Sequence, residues 1–122
     1  MNAQELNRIG TSIVDAALTV HRHLGPGLLE SAYQYCMKDE IEYRGHQVSA
    51  EVPLILNYKG KNKGKVYEID LLVDGLVVVE TKSVERMTPL GPAQLLTHLR
   101  IGKYHLGYLI NFNVPLIKDG IK

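Results

Sequence analysis

The stretch Tyr67-Glu68-Ile69-Asp70-Leu71-Leu72-Val73-Asp74-Gly75-Leu76-Val77-Val78-Val79-Glu80-Thr81-Lys82 constrains the fold more than any other part of the chain. Aliphatic residues run almost unbroken on either side of Asp74-Gly75, a strong local turn signal. The pattern predicts two strands over residues 66–73 and 76–82, joined as a hairpin and buried on both faces. A sheet buried on both faces calls for helices packed against it.

The flanking segments supply them. Leu6, Ile9, Ile13, Ala16, Ala17, Val20 and Leu24 recur at spacings of three and four, the mark of an amphipathic helix, with Asn2 and Glu5 as its capping box. Gly25-Pro26-Gly27 stops that helix. A second is expected over residues 28–43, burying Leu29, Tyr33, Cys36, Met37 and Ile41 and ending at Gly45. Residues 48–58 read as a strand whose Pro53 suggests an edge or a bulge. Glycines and lysines over 59–65 read as a hairpin tip. Pro89 and Pro92 mark the start of a third helix carrying Ala93, Leu95, Leu96, Leu99 and Ile101, which Gly102 ends. Residues 106–112 form the last strand. The order ααβββαβ defines an α/β fold: a mixed sheet flanked by helices, with a right-handed crossover before the final strand. At 122 residues, 1–122 is expected to be one domain with one core.

Composition narrows the function class. Hydrophobic residues make up 45% and charged residues 22%, which is ordinary for a folded soluble protein. The formal charge is +1, from 14 Lys plus Arg against 13 Asp plus Glu, so any contact with a polyanion must be local. Cys36 alone cannot form an internal disulfide, and the N-terminus lacks the layout of a secretion signal, so the cytoplasm is the expected compartment. No apolar run approaches the roughly 20 residues needed to span a bilayer.

Chemistry is concentrated in the central hairpin. Asp70 and Glu80 lie in strands that otherwise look buried, and an unpaired charge there would cost several kcal/mol, so each needs a partner, a metal or a proton. Two carboxylates and a backbone carbonyl suit Mg²⁺ while leaving positions for water and phosphate. Lys82, two residues after Glu80, points to the same face, where its ammonium would stabilise charge growing on a phosphate. The arrangement makes a demand on the turn. A strict two-residue loop would set Asp70 opposite Val79 and on the other side of the sheet from Glu80, whereas a three-residue loop or a bulge sets it opposite Glu80. On local spacing alone a second reading stands beside the site: an Asp70–Lys82 ion pair with Glu80 at a frayed strand end.

Gly27-Leu28-Leu29-Glu30-Ser31-Ala32-Tyr33 resembles the signature of the GxxExxY protein family, a branch assigned to the PD-(D/E)XK nuclease superfamily. Val20-His21, Leu24-Gly25-Pro26-Gly27, Asp70-Leu71-Leu72-Val73, Glu80-Thr81-Lys82-Ser83-Val84-Glu85, Ala93-Gln94-Leu95-Leu96 and Leu109-Ile110-Asn111-Phe112 also look like family blocks, in the family's order. The resemblance covers nearly the whole chain. It implies a restriction-endonuclease-like fold and a metal-dependent nuclease hydrolysing phosphodiester bonds in DNA, less readily RNA, with Mg²⁺ or Mn²⁺ as cofactor. Glu30, Asp70, Glu80 and the carbonyl of Thr81 would hold the metal, Glu30 directly or through water, Lys82 would be the catalytic lysine, and Gln94 would line the site. Three positions depart from the pattern: Ile69 where Pro is named, Thr81 where an aliphatic residue is usual, and His98 where Tyr is common. The alternative is a catalytically silent module of the same fold that binds nucleic acid or a protein partner. Self-association as a homodimer or membership of a larger complex is compatible with either.

Lys59, Lys61, Lys63 and Lys65 form a basic tip suited to a phosphate backbone, or alternatively a solvated turn protecting a sheet edge. His21 and His23, two apart on a helix, point in different directions and make no simple zinc pair. Gly60 and Gly64-Lys65 lack the spacer and following Ser or Thr of a phosphate loop. Cys36 has no base nearby in sequence and is no thiol nucleophile.

Overall fold

The computed structural model describes residues 2–122. Its elements are α1 (Ala3–Leu24), α2 (Glu30–Tyr43), β1 (Val48–Tyr58), β2 (Lys61–Val73), β3 (Val77–Lys82), α3 (Leu90–Gly102), β4 (Leu106–Asn111) and a 3₁₀ turn, η1 (Ile117–Gly120). The sheet runs β1-β2-β3-β4, antiparallel except for the parallel pair β3–β4 that α3 connects. This is the expected ααβββαβ order.

The sheet separates two apolar layers. On one face Ile9, Ile13, Ala16, Ala17 and Val20 of α1 and Tyr33, Met37 and Ile41 of α2 pack on Leu71, Val73, Val77, Val79, Ile110 and Phe112. On the other, Leu95 of α3 packs with Leu54, Ile69, Leu72, Val78 and Leu109. Covered on both sides, Val77 to Thr81 is buried at every position, which is why β3 reads as an unbroken apolar run.

Several expectations are corrected. Leu29 stays outside the core: α2 begins at Glu30, and Leu29, preceding it in extended conformation, is 78% exposed. Leu24 at the end of α1 is also exposed, beyond the reach of the sheet. The β1–β2 tip is tighter than its lysines suggest, because Lys59 (φ 51) and Gly60 (φ 75) turn the chain in two residues and β2 already starts at Lys61. Gly102 lies inside α3, and the left-handed C-cap is Lys103 (φ 61). β4 ends at Asn111, not Phe112. Asn2 does cap α1, accepting from the Glu5 N–H at 2.8 Å, and Pro53 does lie in an edge strand.

Candidate active site

The turn meets the demand set by the sequence. Val73 pairs with Val77, so the connection is the three residues Asp74-Gly75-Leu76, with Asp74 (φ 53) and Gly75 (φ 68) both left-handed. Asp74 fixes it from the side, its carboxylate accepting from the Gln47 N–H and bonding His46 Nδ1. Counting back through Leu72↔Val78 and Leu71↔Val79 sets Asp70 level with Glu80.

At Asp70 the two strands part. Tyr67 and Ile69 pack on the α3 side, whereas Leu71 and Val73 pack on the α1–α2 side, although strict alternation would put all four on one face. β2 therefore changes face at Asp70, level with Glu51 of β1, whose φ of 54 is left-handed. The ladder to β3 stops at Leu71, and side chains take over from the backbone. Asp70 Oδ2 accepts from the Thr81 N–H at 2.9 Å and the Thr81 hydroxyl at 3.3 Å. Glu80 Oε2 accepts from the Asp70 N–H at 3.4 Å, and Gln34 Nε2 donates to the freed Asp70 carbonyl at 3.4 Å. The fork thus holds two carboxylates side by side, each tied to the opposite strand.

Two helices flank the fork, each with a pair of side chains four residues apart and so on one helix face. From α2 come Glu30 and Gln34. Glu30 Oε1 lies 4.0 Å from Lys82 Nζ, a half-exposed pair worth at most about 1 kcal/mol. From α3 come Gln94 and His98. His98 Nδ1 lies 2.8 Å from Glu80 Oε1, and Gln94 lines the adjoining surface with Glu80, Lys82 and His98. A cleft of about 210 Å³ opens beside Lys82 and Gln94 and runs toward Arg86 and Thr88.

The Gly27–Tyr33 segment sets how α2 arrives. Gly27 has φ 98, open only to glycine at little cost. The Tyr33 hydroxyl donates to the Gly25 carbonyl at 2.6 Å and accepts from the Leu28 N–H at 3.1 Å, while its ring stacks on Phe112 at 4.5 Å. Ser83, just past Lys82, donates to the Leu28 carbonyl at 2.6 Å. The loop before Glu30 is thereby tied to the end of β3.

Electrostatically the fork is unbalanced. Glu80 is 6% exposed, and burial, then the charge of Asp70, push its carboxyl up to about 8, with Lys82 only partly opposing them. Burial also lowers His98. Burial thus disfavours charge on both members of the Glu80–His98 contact, whose 2.8 Å separation is that of a hydrogen bond. Glu80 is no frayed end, and among the described residues Asp70 and Lys82 form no ion pair: the carboxylate within reach of Lys82 is Glu30.

A family model of the PD-(D/E)XK nuclease superfamily matches residues 7–122. The chain belongs to that superfamily. Comparison with curated proteins and with solved structures finds no match. PD-(D/E)XK nucleases generally use divalent metal ions, and the fork fits one chemically. Its donors are all oxygen, and its two adjacent carboxylates, one driven to hold a proton, are what a hard cation relieves. The fit is confined to that pair: among the described residues no three His, Cys, Asp or Glu side chains converge closely enough to hold a metal, and Glu30 is turned to Lys82. Of the expected site residues, Asp70, Glu80, Thr81 and Lys82 are brought together, Glu30 and Gln94 stand at the rim, and Lys59, Lys61, Lys63 and Lys65 lie on the β1–β2 arm. His98 was missed as the partner of the Glu80 carboxyl, and Gln34 as the donor to the Asp70 backbone carbonyl, although their spacing of four from Gln94 and Glu30 pointed to them.

Proposed function

We propose that this PD-(D/E)XK protein is a Mg²⁺- or Mn²⁺-dependent nuclease that hydrolyses phosphodiester bonds in DNA, of the GxxExxY branch. The observation that carries the reading is the pairing of Asp70 with a Glu80 that burial leaves short of positive charge, beside the Lys82 ammonium. Asp70, Glu80 and the Thr81 carbonyl would hold the metal, with Glu30 reaching it through water. Bound there, a divalent cation supplies Lewis-acid polarisation of a phosphoryl oxygen and a more acidic water. The chain's own groups do the rest. Lys82 orients the attacking water and stabilises the charge that grows on the phosphate. His98 holds the Glu80 carboxyl in place through Nδ1, and Gln94 positions the substrate at the rim. Thr81 holds Asp70 through its N–H and hydroxyl, so that the two carboxylates cannot swing apart.

The branch assignment is supported by the physical work of its motif residues: Gly27 permits the turn, Tyr33 locks it, and Glu30 is delivered next to Lys82. No described helix is long and apolar enough to cross a membrane. The test is Mg²⁺ or Mn²⁺ titration of the purified chain with single-stranded and duplex DNA. Asp70→Asn and Lys82→Ala are expected to abolish cleavage. Cleavage surviving both substitutions assigns it to another site, and metal binding without cleavage of any nucleic acid supports the silent-module alternative.

A further inference from the structure

Beyond the covered sheet, β1 and β2 continue as an uncovered two-stranded arm. From Ile55 to Val66 every residue is exposed except Leu56 and Gly64, which are half-buried. Such a ribbon is marginal on its own in water. Its charge adds to the cost: residues 55–66 hold four lysines and no acidic residue, while the rest of the chain carries 10 Lys and Arg against 13 Asp and Glu. Lys65 is paired with Glu68 at 2.7 Å, and Lys59 lies over the exposed Tyr58 ring at 5.4 Å. Among the described residues Lys61 and Lys63 form no ion pair. A segment that is exposed, one-signed and unsupported is suited to a polyanion, and a second copy's arm would meet it with like charge.

Geometry narrows the polyanion. The arm is the direct continuation of the strand that bears Asp70, and Lys61 and Lys63 precede Asp70 by nine and seven residues. At about 3.3 Å per residue they lie roughly 25 Å along the strand from the fork. A two-stranded ribbon fits the major groove of B-form DNA, about 12 Å wide, whereas the deep, narrow major groove of A-form RNA does not admit it. We propose that the β1–β2 arm is a grip for duplex DNA, its lysines engaging phosphates about seven base pairs from the fork. This rests on the nuclease reading for its substrate but makes a separate demand on binding.

Binding of fluorescent DNA and RNA duplexes of about 8 to about 24 base pairs to the full chain, in chelator and over a range of salt, tests it. Lys61→Ala/Lys63→Ala is expected to weaken DNA binding at least tenfold near 0.1 M salt and to lower the salt slope by about 2, with unchanged circular dichroism. RNA duplexes are expected to bind more weakly and to be insensitive to the substitutions. An unchanged DNA salt slope, equal arm-dependent binding of RNA, or self-association that the substitutions abolish overturns the proposal. Wild-type cleavage, read beside binding, separates the two readings: arm-dependent binding without cleavage overturns only the nuclease, while cleavage with arm-independent binding overturns only the grip.

Discussion

Glu80 Oε1 and His98 Nδ1 lie 2.8 Å apart at the one place where β2 and β3 cease to pair, joining the most buried carboxylate of the fork to the helix that crosses over it. Because burial disfavours charge on both, the contact favours a protonated Glu80, and a metal bound at the fork would displace that proton. Much of what the protein should do in solution follows from that proton.

The first consequence is a stability that falls with pH when metal is chelated. Glu80 has its carboxyl raised from 4.5 to about 8 in the folded chain, so its stabilising contribution is complete below pH 4.5 and is lost as pH climbs through about 8. His98 acts at the other end: its lowered value means stability is present above 6.5 and lost as pH drops below it. Between about pH 6.5 and 8.5, therefore, Glu80 sets the slope. Chemical denaturation in chelator is expected to show a loss on the order of a few kcal/mol across that window. Glu80→Gln should flatten it; a slope that persists in Glu80→Gln would mean the proton sits elsewhere.

Metal binding should release that proton. Isothermal titration with Mn²⁺ at pH 7 in buffers of different ionisation enthalpy is expected to report close to one proton released per ion, decreasing above pH 8 where Glu80 is already ionised. Glu80→Gln should bind weakly and release none. A proton count near zero for the wild-type chain, with tight binding, would place the ion away from the fork.

How much of this was legible beforehand differs from residue to residue. The hairpin register was, because the requirement that Asp70 face Glu80 called for a three-residue connection or a bulge, and Val73↔Val77 supplies the first. The face change at Asp70 was not. Sequence periodicity assumes regular alternation, and the irregularity coincides with a left-handed Glu51 on the neighbouring strand, where no glycine signals it. The early start of β2 was hidden for a related reason, since lysine- and glycine-rich residues that read as a loop are held by pairing with β1. Leu29 misled because periodicity counts apolar residues without knowing where a helix begins, and here Leu29 precedes the first turn. His98 was visible as a departure from a family pattern and by its spacing from Gln94, but its role needed the crossing of α3 over β3.

Replacing His98 tests positioning apart from chemistry. His98→Leu removes the partner of a buried carboxyl and is expected to cost about 1–3 kcal/mol of stability and about 10- to 100-fold in metal affinity. His98→Gln, which keeps a polar group in reach, should recover part of both. If His98→Leu left the Mn²⁺ affinity and its pH profile unchanged, His98 would be only a packing residue.

Gly120 offers a test of how the far side of the sheet supports the fork. A Cβ there would sit 2.0 Å from the Asn111 carbonyl oxygen and 3.1 Å from its carbon, a backbone clash that no rotamer change relieves. Asn111 pairs with Lys82 in the sheet, and its side-chain amide clasps Val84, accepting from the N–H at 3.1 Å and donating to the carbonyl at 3.0 Å. Phe112, which stacks on Tyr33, follows it directly and donates its N–H to the Lys82 carbonyl. Gly120→Ala must therefore push either η1 off β4 or β4 out of register with the end of β3. A destabilisation of about 1–3 kcal/mol is expected, together with faster amide exchange at Val84 and Phe112. Loss of stability with unchanged exchange at those two amides would show that η1 yields alone and that Lys82 is held without it.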